Sequence, residues 1–196
     1  MAKYGAKYPR FAPFAETDAE TDSAYPKYGT PVTLAELVSV ADAPTYNEAK
    51  QYGDDQLVEY ASEFKEASLD FEITEIDNAT AKIIYGAQES TGGDSNGKDL
   101  MFGAGDNAPF GGIAFYVSKL RNNVKKYQGV YYPKCKASMQ GETYTTKGES
   151  IAFVNAKAKF MAYAPKYDKW KVLSPDFTSE SEAKAWVDEK IKSATS

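Results

Sequence analysis

From Ile151 the chain reads IAFVNAKAKFMAYA, and its positions alternate. Ala152, Val154, Ala156, Ala158, Phe160, Ala162 and Ala164 fall on one side. Ile151, Phe153, Asn155, Lys157, Lys159, Met161 and Tyr163 fall on the other, with charge in the middle. A period of two marks a strand with one dry and one wet face. Similar runs occur in TPVTLAELVSV up to Val40, QLVEYASEFKE, SLDFEITEI, IAFYVSKL and GVYYPKCKASM, with a short last strand in YDKWKVL. Val58, Tyr60 and Phe64 oppose Glu59 and Glu63, and Leu69, Phe71 and Ile73 oppose Asp70 and Glu72. Six to eight strands are expected.

Two stretches break that period. In DNATAKIIYGA, Asp77 or Asn78 can cap a helix, Ala79 with Ile83 gives an apolar i, i+4 pair, and Gly86 supplies a stop. TSESEAKAWVDEKIKSA opens with a capping box, Ser179 with Glu182, and sets Ala183, Trp186, Val187 and Ile191 in one stripe. It predicts a C-terminal helix lying on an apolar surface. The polar stretch ADAPTYNEAKQYGDD reads as a long loop, and residues 86–112, with eight of the fourteen glycines, as a loop or hairpin.

Residues 1–30 follow neither period. Tyr4, Tyr8, Phe11, Phe14, Tyr25 and Tyr28 stand there, among Pro9, Pro13 and Pro26. Such a segment builds no core of its own, so it predicts an extended arm whose rings dock on the same domain or on a neighbouring subunit. The expected fold is mainly β (α+β), with the arm at 1–30 and one β-rich domain at 31–196.

Composition narrows the chemistry. The 196 residues contain no histidine, which removes Ser-His-Asp and Cys-His arrangements and most zinc sites. The net charge is −5, and the one basic cluster, KLRNNVKK, reads as flanking a turn, so no nucleic-acid grip is expected. Cys135, the single cysteine, is placed by parity beside Tyr131 and Ala137 as a small buried residue. GAGDNAPFGG lacks the Gly-Lys-Ser/Thr ending of a phosphate loop. Asp94, Asn96, Gly97 and Asp99 imitate part of a calcium loop, but its twelfth position is Gly105 rather than Glu. No catalytic residue, metal or cofactor is expected, and the chain is not expected to be an enzyme. Without a long apolar run or a leader-like h-region, it is expected to fold in a cytosol.

The wet faces carry Glu59, Glu63, Asp70, Glu72, Lys134, Lys136, Lys157 and Lys159, four acids against four bases. They are either an ordinary half-exposed sheet surface or, if sheets from several subunits close around water, the wall of a lumen.

The segments NEAKQYGDDQLVEYASEF, DNAPFGGIAFYVSK, GVYYPKCKASMQGETYTTKGESIAF and AKAWVDEKI, with the opening KYGAKYPRFAPF, resemble the major tail proteins of long-tailed, non-contractile bacteriophages. The resemblance implies a β-sandwich or half-barrel with a flanking helix, assembled as hexameric rings that stack into a tail tube. It implies as partners other copies of the chain, a tape-measure protein inside the tube, tail terminator and distal tail proteins at its ends, and viral DNA in transit without specific binding. The location implied is the virion tail, assembled in the bacterial cytoplasm, without membrane. In that family the N-terminal arm and a long loop, here residues 1–30 and about 41–56, make contacts between rings. The alternative is a phage or cell-surface β-sandwich module that binds glycans.

Overall fold

A computed structural model describes residues 2–15, 19–94, 97–146 and 153–194. Ile151 and Ala152, at the start of the alternating stretch, and Asn96 of the calcium-like loop lie outside them. The fold is mainly β, with ten strands and two helices among the described residues. In chain order the strands are β1 (Ala2–Pro13), β2 (Val32–Thr33), β3 (Leu37–Gly53), β4 (Gln56–Ile73), β5 (Gln88–Asp94), β6 (Gly97–Met101), β7 (Phe110–Arg121), β8 (Val124–Ser138), β9 (Ala156–Ala162) and β10 (Val172–Leu173). Helix α1 (Asn78–Tyr85) follows β4, and α2 (Glu180–Lys190) ends the fold. One antiparallel sheet runs β2-β1-β7-β8-β9-β4-β3, with β10 on the flank of β8 and a separate hairpin of β5 and β6.

The sheet is strongly curled. Phe11 of β1 and Phe160 of β9 are three strand spacings apart, roughly 14 Å on a flat sheet, yet their ring centroids lie 5.6 Å apart. Phe71 of β4 and Phe115 of β7, also three spacings apart, meet at 5.8 Å. Residues 34–36 bridge the remaining gap, Leu34 donating its amide to the Pro9 carbonyl and Thr74 its amide to that of Glu36. The result is a half-barrel. Its concave face holds the main core, including Phe11, Leu69, Phe71, Ile113, Tyr132 and Phe160, with Ile84 of α1 as a plug. Burial of each large side chain there contributes about 1.5–3 kcal/mol.

On the convex face, α2 seats Ala183, Val187 and Ile191 against Ala114, Tyr116 and Tyr131. Its expected stripe and its capping box are both present. Helix α1 starts at the expected cap, Asp77, and stops at Gly86 in the left-handed conformation, but it is rotated from the expected face. Thr80, Ala81, Ile84 and Tyr85 are buried, whereas Ala79 is exposed.

Five sequence expectations change, each at an irregularity of the ladder or where the strand leaves the core. Residues 2–13 are extended, but as strand β1 hydrogen-bonded to β7. Bulges at Gly5 and at Tyr8–Pro9, where Gly5 and Tyr8 have positive φ, scramble the period. The stretch 41–53 is strand rather than loop. It pairs with β4 through a two-residue turn, Asp54–Asp55, with both residues left-handed, the geometry that matches strand twist. QLVEYASEFKE and SLDFEITEI are one continuous strand, β4, whose apolar phase shifts at a bulge beside Lys65. In β8 a further bulge, Pro133–Lys134 opposite Gly112, puts Cys135 and Ala137 on the face of Tyr132 rather than that of Tyr131. Finally, β9 begins only at Ala156, and Phe153 is 93% exposed.

Candidate functional site

Where α2 ends its cover, the convex face of β8, β9, β4 and β3 is bare, and the alternation of β9 becomes physical. Ala158, Phe160 and Ala162 point into the core, while Lys157 and Lys159 point outward. Cross-strand register sets Asp70 opposite Lys159 and Glu72 opposite Lys157. The Lys159 ammonium lies 3.9 Å from Asp70. Glu72 accepts from Asn155 at 2.8 Å and Ser39 at 3.2 Å, and these bonds, with the attraction of Lys157, hold its carboxyl below the usual range.

Lys136 stands opposite Met161 on the same face, donates to the Asn107 side chain at 2.6 Å and lies over the Phe110 ring. Lys134 shares that ring and pairs with Glu20 at 2.8 Å, an acid the sequence reading did not include. Glu59 and Glu63 sit farther out on β4, and the bulge at Lys65 keeps them on the side of Asp70 and Glu72, opposite Phe64. The eight charges therefore share one face, but as a local checkerboard of four, two separately satisfied lysines, and two distal glutamates.

The six aromatic residues of the N-terminal segment divide as well. Phe11 and Tyr28 are buried in their own domain. The Tyr28 hydroxyl meets that of Tyr131 and bonds the carbonyl of Pro133, which the bulge frees. Phe14 packs on Tyr28 and Phe110, and Tyr25 sits edge-on to Tyr131 and Tyr167. The Tyr8 hydroxyl accepts from Arg10 at 2.7 Å, and Arg10 also bonds Asp188 of α2 at 2.7 Å. Tyr4 alone of the six is largely exposed, under the Lys125 ammonium.

The β3–β4 hairpin, whose first half is expected from sequence as a loop and by resemblance as a contact between rings, is strand on both sides of its turn. Every residue from 41 to 63 is exposed, and the arm reaches on the order of 25 Å past the sheet. Tyr46, Tyr52, Leu57, Val58 and Tyr60 are between 46% and 65% exposed, a contiguous apolar display of the kind that marks interaction surfaces. Its root is clamped: Trp170 stacks on Phe64 at 4.2 Å, and Asp42 accepts from Tyr132 at 2.9 Å and from Lys171. The strand signal of residues 41–53 was hidden because both faces of the arm meet water, so this half carries no apolar alternation.

An open groove of about 600 Å³ runs between β1, residues 33–37 and α2. Three of its four carboxylates are committed to the fold: Asp77 caps α1, Glu36 accepts from Thr74, and Glu180 accepts from Tyr116. Burial pushes the Cys135 thiol well up, away from nucleophilic use. Among the described residues, no helix is long and apolar enough to cross a membrane. No protein-family model matches the chain, and no curated protein matches it.

Proposed function

We propose that the chain is a structural subunit of a phage tail tube, polymerising as stacked rings around a conduit for DNA. The observation that carries this reading is a main sheet with two open edges among the described residues, and a projecting apolar hairpin. On one side β3, seventeen residues long, has no strand beyond it among the described residues. On the other, β2 covers β1 only at Arg10 and Phe11, leaving the edge of Ala2–Tyr8 open. Long open edges are aggregation hazards unless a partner pairs them, and a copy of the same chain offers the complementary edge. The charged convex face supports a water-lined wall. Lys134, Lys157 and Lys159 have acids beside them and Lys136 is held by Asn107, so a passing duplex finds no run of free cations to hold its phosphates.

The exposed rings of Tyr46, Tyr52 and Tyr60 lie on a projecting arm, and the concave face is filled by core. A glycan-binding module would present its rings in a concavity instead. Electron microscopy with sedimentation across a concentration series tests the proposal. Rings or uniform hollow tubes are expected. Strict monomers throughout would favour the binding module, and glycan screening would then follow.

A further inference from the structure

The charge of this molecule is not spread evenly. Residues 41–66, the hairpin and its root, hold seven acidic and two basic residues, a net of −5 that equals the net of the whole chain. The remainder is balanced. Within the remainder, one end of the sheet is basic. The β7–β8 turn at Asn122–Asn123 and the start of β1 bring together Lys3, Arg121, Lys125 and Lys126, while neighbouring Lys119 is neutralised by Asp176 at 2.7 Å. At that end Tyr4 and Leu120 share one face with Lys125, and Val124 lies on the other with Arg121, the three apolar side chains each 42–50% exposed.

The two patches are complementary in both respects. The hairpin shows Asp54, Asp55 and Glu59 near Leu57 and Val58, with Glu63 farther along the arm; the basic end shows four cations beside three exposed apolar side chains. They cannot meet within one copy. Trp170 is wedged between Phe64 and Tyr132, and β10 is paired along β8, so residues 163–173 stand between the hairpin root and β8.

The register also fixes the relative placement of copies. Ala67 of β4 lies level with Ala162 of β9, which lies level with Cys135 of β8. From that level the β3–β4 hairpin and the β7–β8 hairpin leave the sheet toward the same end. Copies stacked end over end along the strands would keep these patches apart. Copies side by side, related by rotation about an axis along the strands, bring the acidic hairpin of one to the basic end of the next.

We infer that the β3–β4 hairpin docks on the Lys3, Arg121, Lys125 and Lys126 end of a neighbouring copy in the same ring, as a heterologous, salt-sensitive contact. This rests on the proposed self-assembly, but it assigns the hairpin to contacts within a ring, not between rings as the family resemblance implies. A head-to-tail contact of this kind closes into a ring when its rotation closes.

The test uses full-length chains. One carries Leu57→Cys and the other Val124→Cys, mixed under oxidised glutathione; buried Cys135 stays silent. A mixed disulfide dimer is expected at low salt. Its yield should fall roughly tenfold in molar salt or on Arg121→Glu with Lys125→Glu, as several rim charge pairs are lost or screened. Adding Glu59→Lys with Glu63→Lys to the other partner should restore it. No mixed dimer, or a yield indifferent to all these charges, would overturn the inference. If wild-type rings or tubes nevertheless form by microscopy, the tube reading survives that failure. A charge-dependent mixed dimer with no rings at any concentration would do the reverse. Assembly that stops at a dimer of copies facing end to end would also overturn the side-by-side placement.

Discussion

Gly111 and Gly112 illustrate how a motif can be misread at the scale of single residues. In sequence they close GAGDNAPFGG and tempt a phosphate-loop reading. In the fold they are consecutive strand positions facing opposite sides of the sheet. A side chain at Gly111 would run into the Phe11 ring and the Ala12 carbonyl, and one at Gly112 into the Tyr28 ring. Their bareness lets the first segment of the chain lie against β7 with one ring buried on each face. Gly111→Ala is expected to cost about 1–3 kcal/mol by overpacking, read as a lowered urea midpoint without a change in slope. The glycines were legible as unusual, but not their purpose, because the atoms they make room for lie about a hundred residues earlier in the chain.

At the scale of elements, strand phase was legible wherever one face is dry, as in β9 and in the inner half of β4. It failed where a bulge moved the phase, at Tyr8–Pro9, Lys65 and Pro133–Lys134, and where both faces are wet, in the β3 half of the outer hairpin. The hairpin root is held instead by polar contacts. Burial alone would raise the Asp42 carboxyl, but the bonds from Lys171 and Tyr132 outweigh it and hold that carboxyl below the usual range. A lowered folded value means that the stabilisation is complete above the unfolded aspartate value, about 4, and is lost as pH falls through the folded value. Asp42→Asn should therefore lower the urea midpoint at about pH 7 and flatten its decline below about pH 4. An unchanged acid limb would exclude Asp42 as a source of that decline.

For the whole molecule, the first segment, expected as an extended arm, is strand β1, and the stretch expected as a long loop is one strand of a projecting hairpin. Removing residues 2–13 takes away an internal strand and the fully buried Phe11, and cooperative unfolding is expected to disappear with it. Replacing residues 47–63 by Asn-Gly would join the paired Tyr46 and Phe64 through a two-residue turn. That variant should keep wild-type circular dichroism and a urea midpoint close to wild type, yet fail to form rings or tubes. Parallel spectroscopy, sedimentation and microscopy on both variants would separate a folding strand from an assembly arm.

What the sequence determined by itself was local: a mainly β chain, both helices with their caps, the turn inside KLRNNVKK, and the pairing of dry and wet positions in β9. These follow from side-chain periodicity and from groups a few residues apart. What only the tertiary structure decided was which surface each element meets. The curl of the sheet placed β1 within it, the bulges reassigned whole faces, and the clamp at Phe64, Trp170 and Asp42 turned an apparent loop into a rigidly rooted arm. Those outcomes depend on contacts between residues distant in the chain, and periodicity along a chain carries no information about which distant partner a face will find.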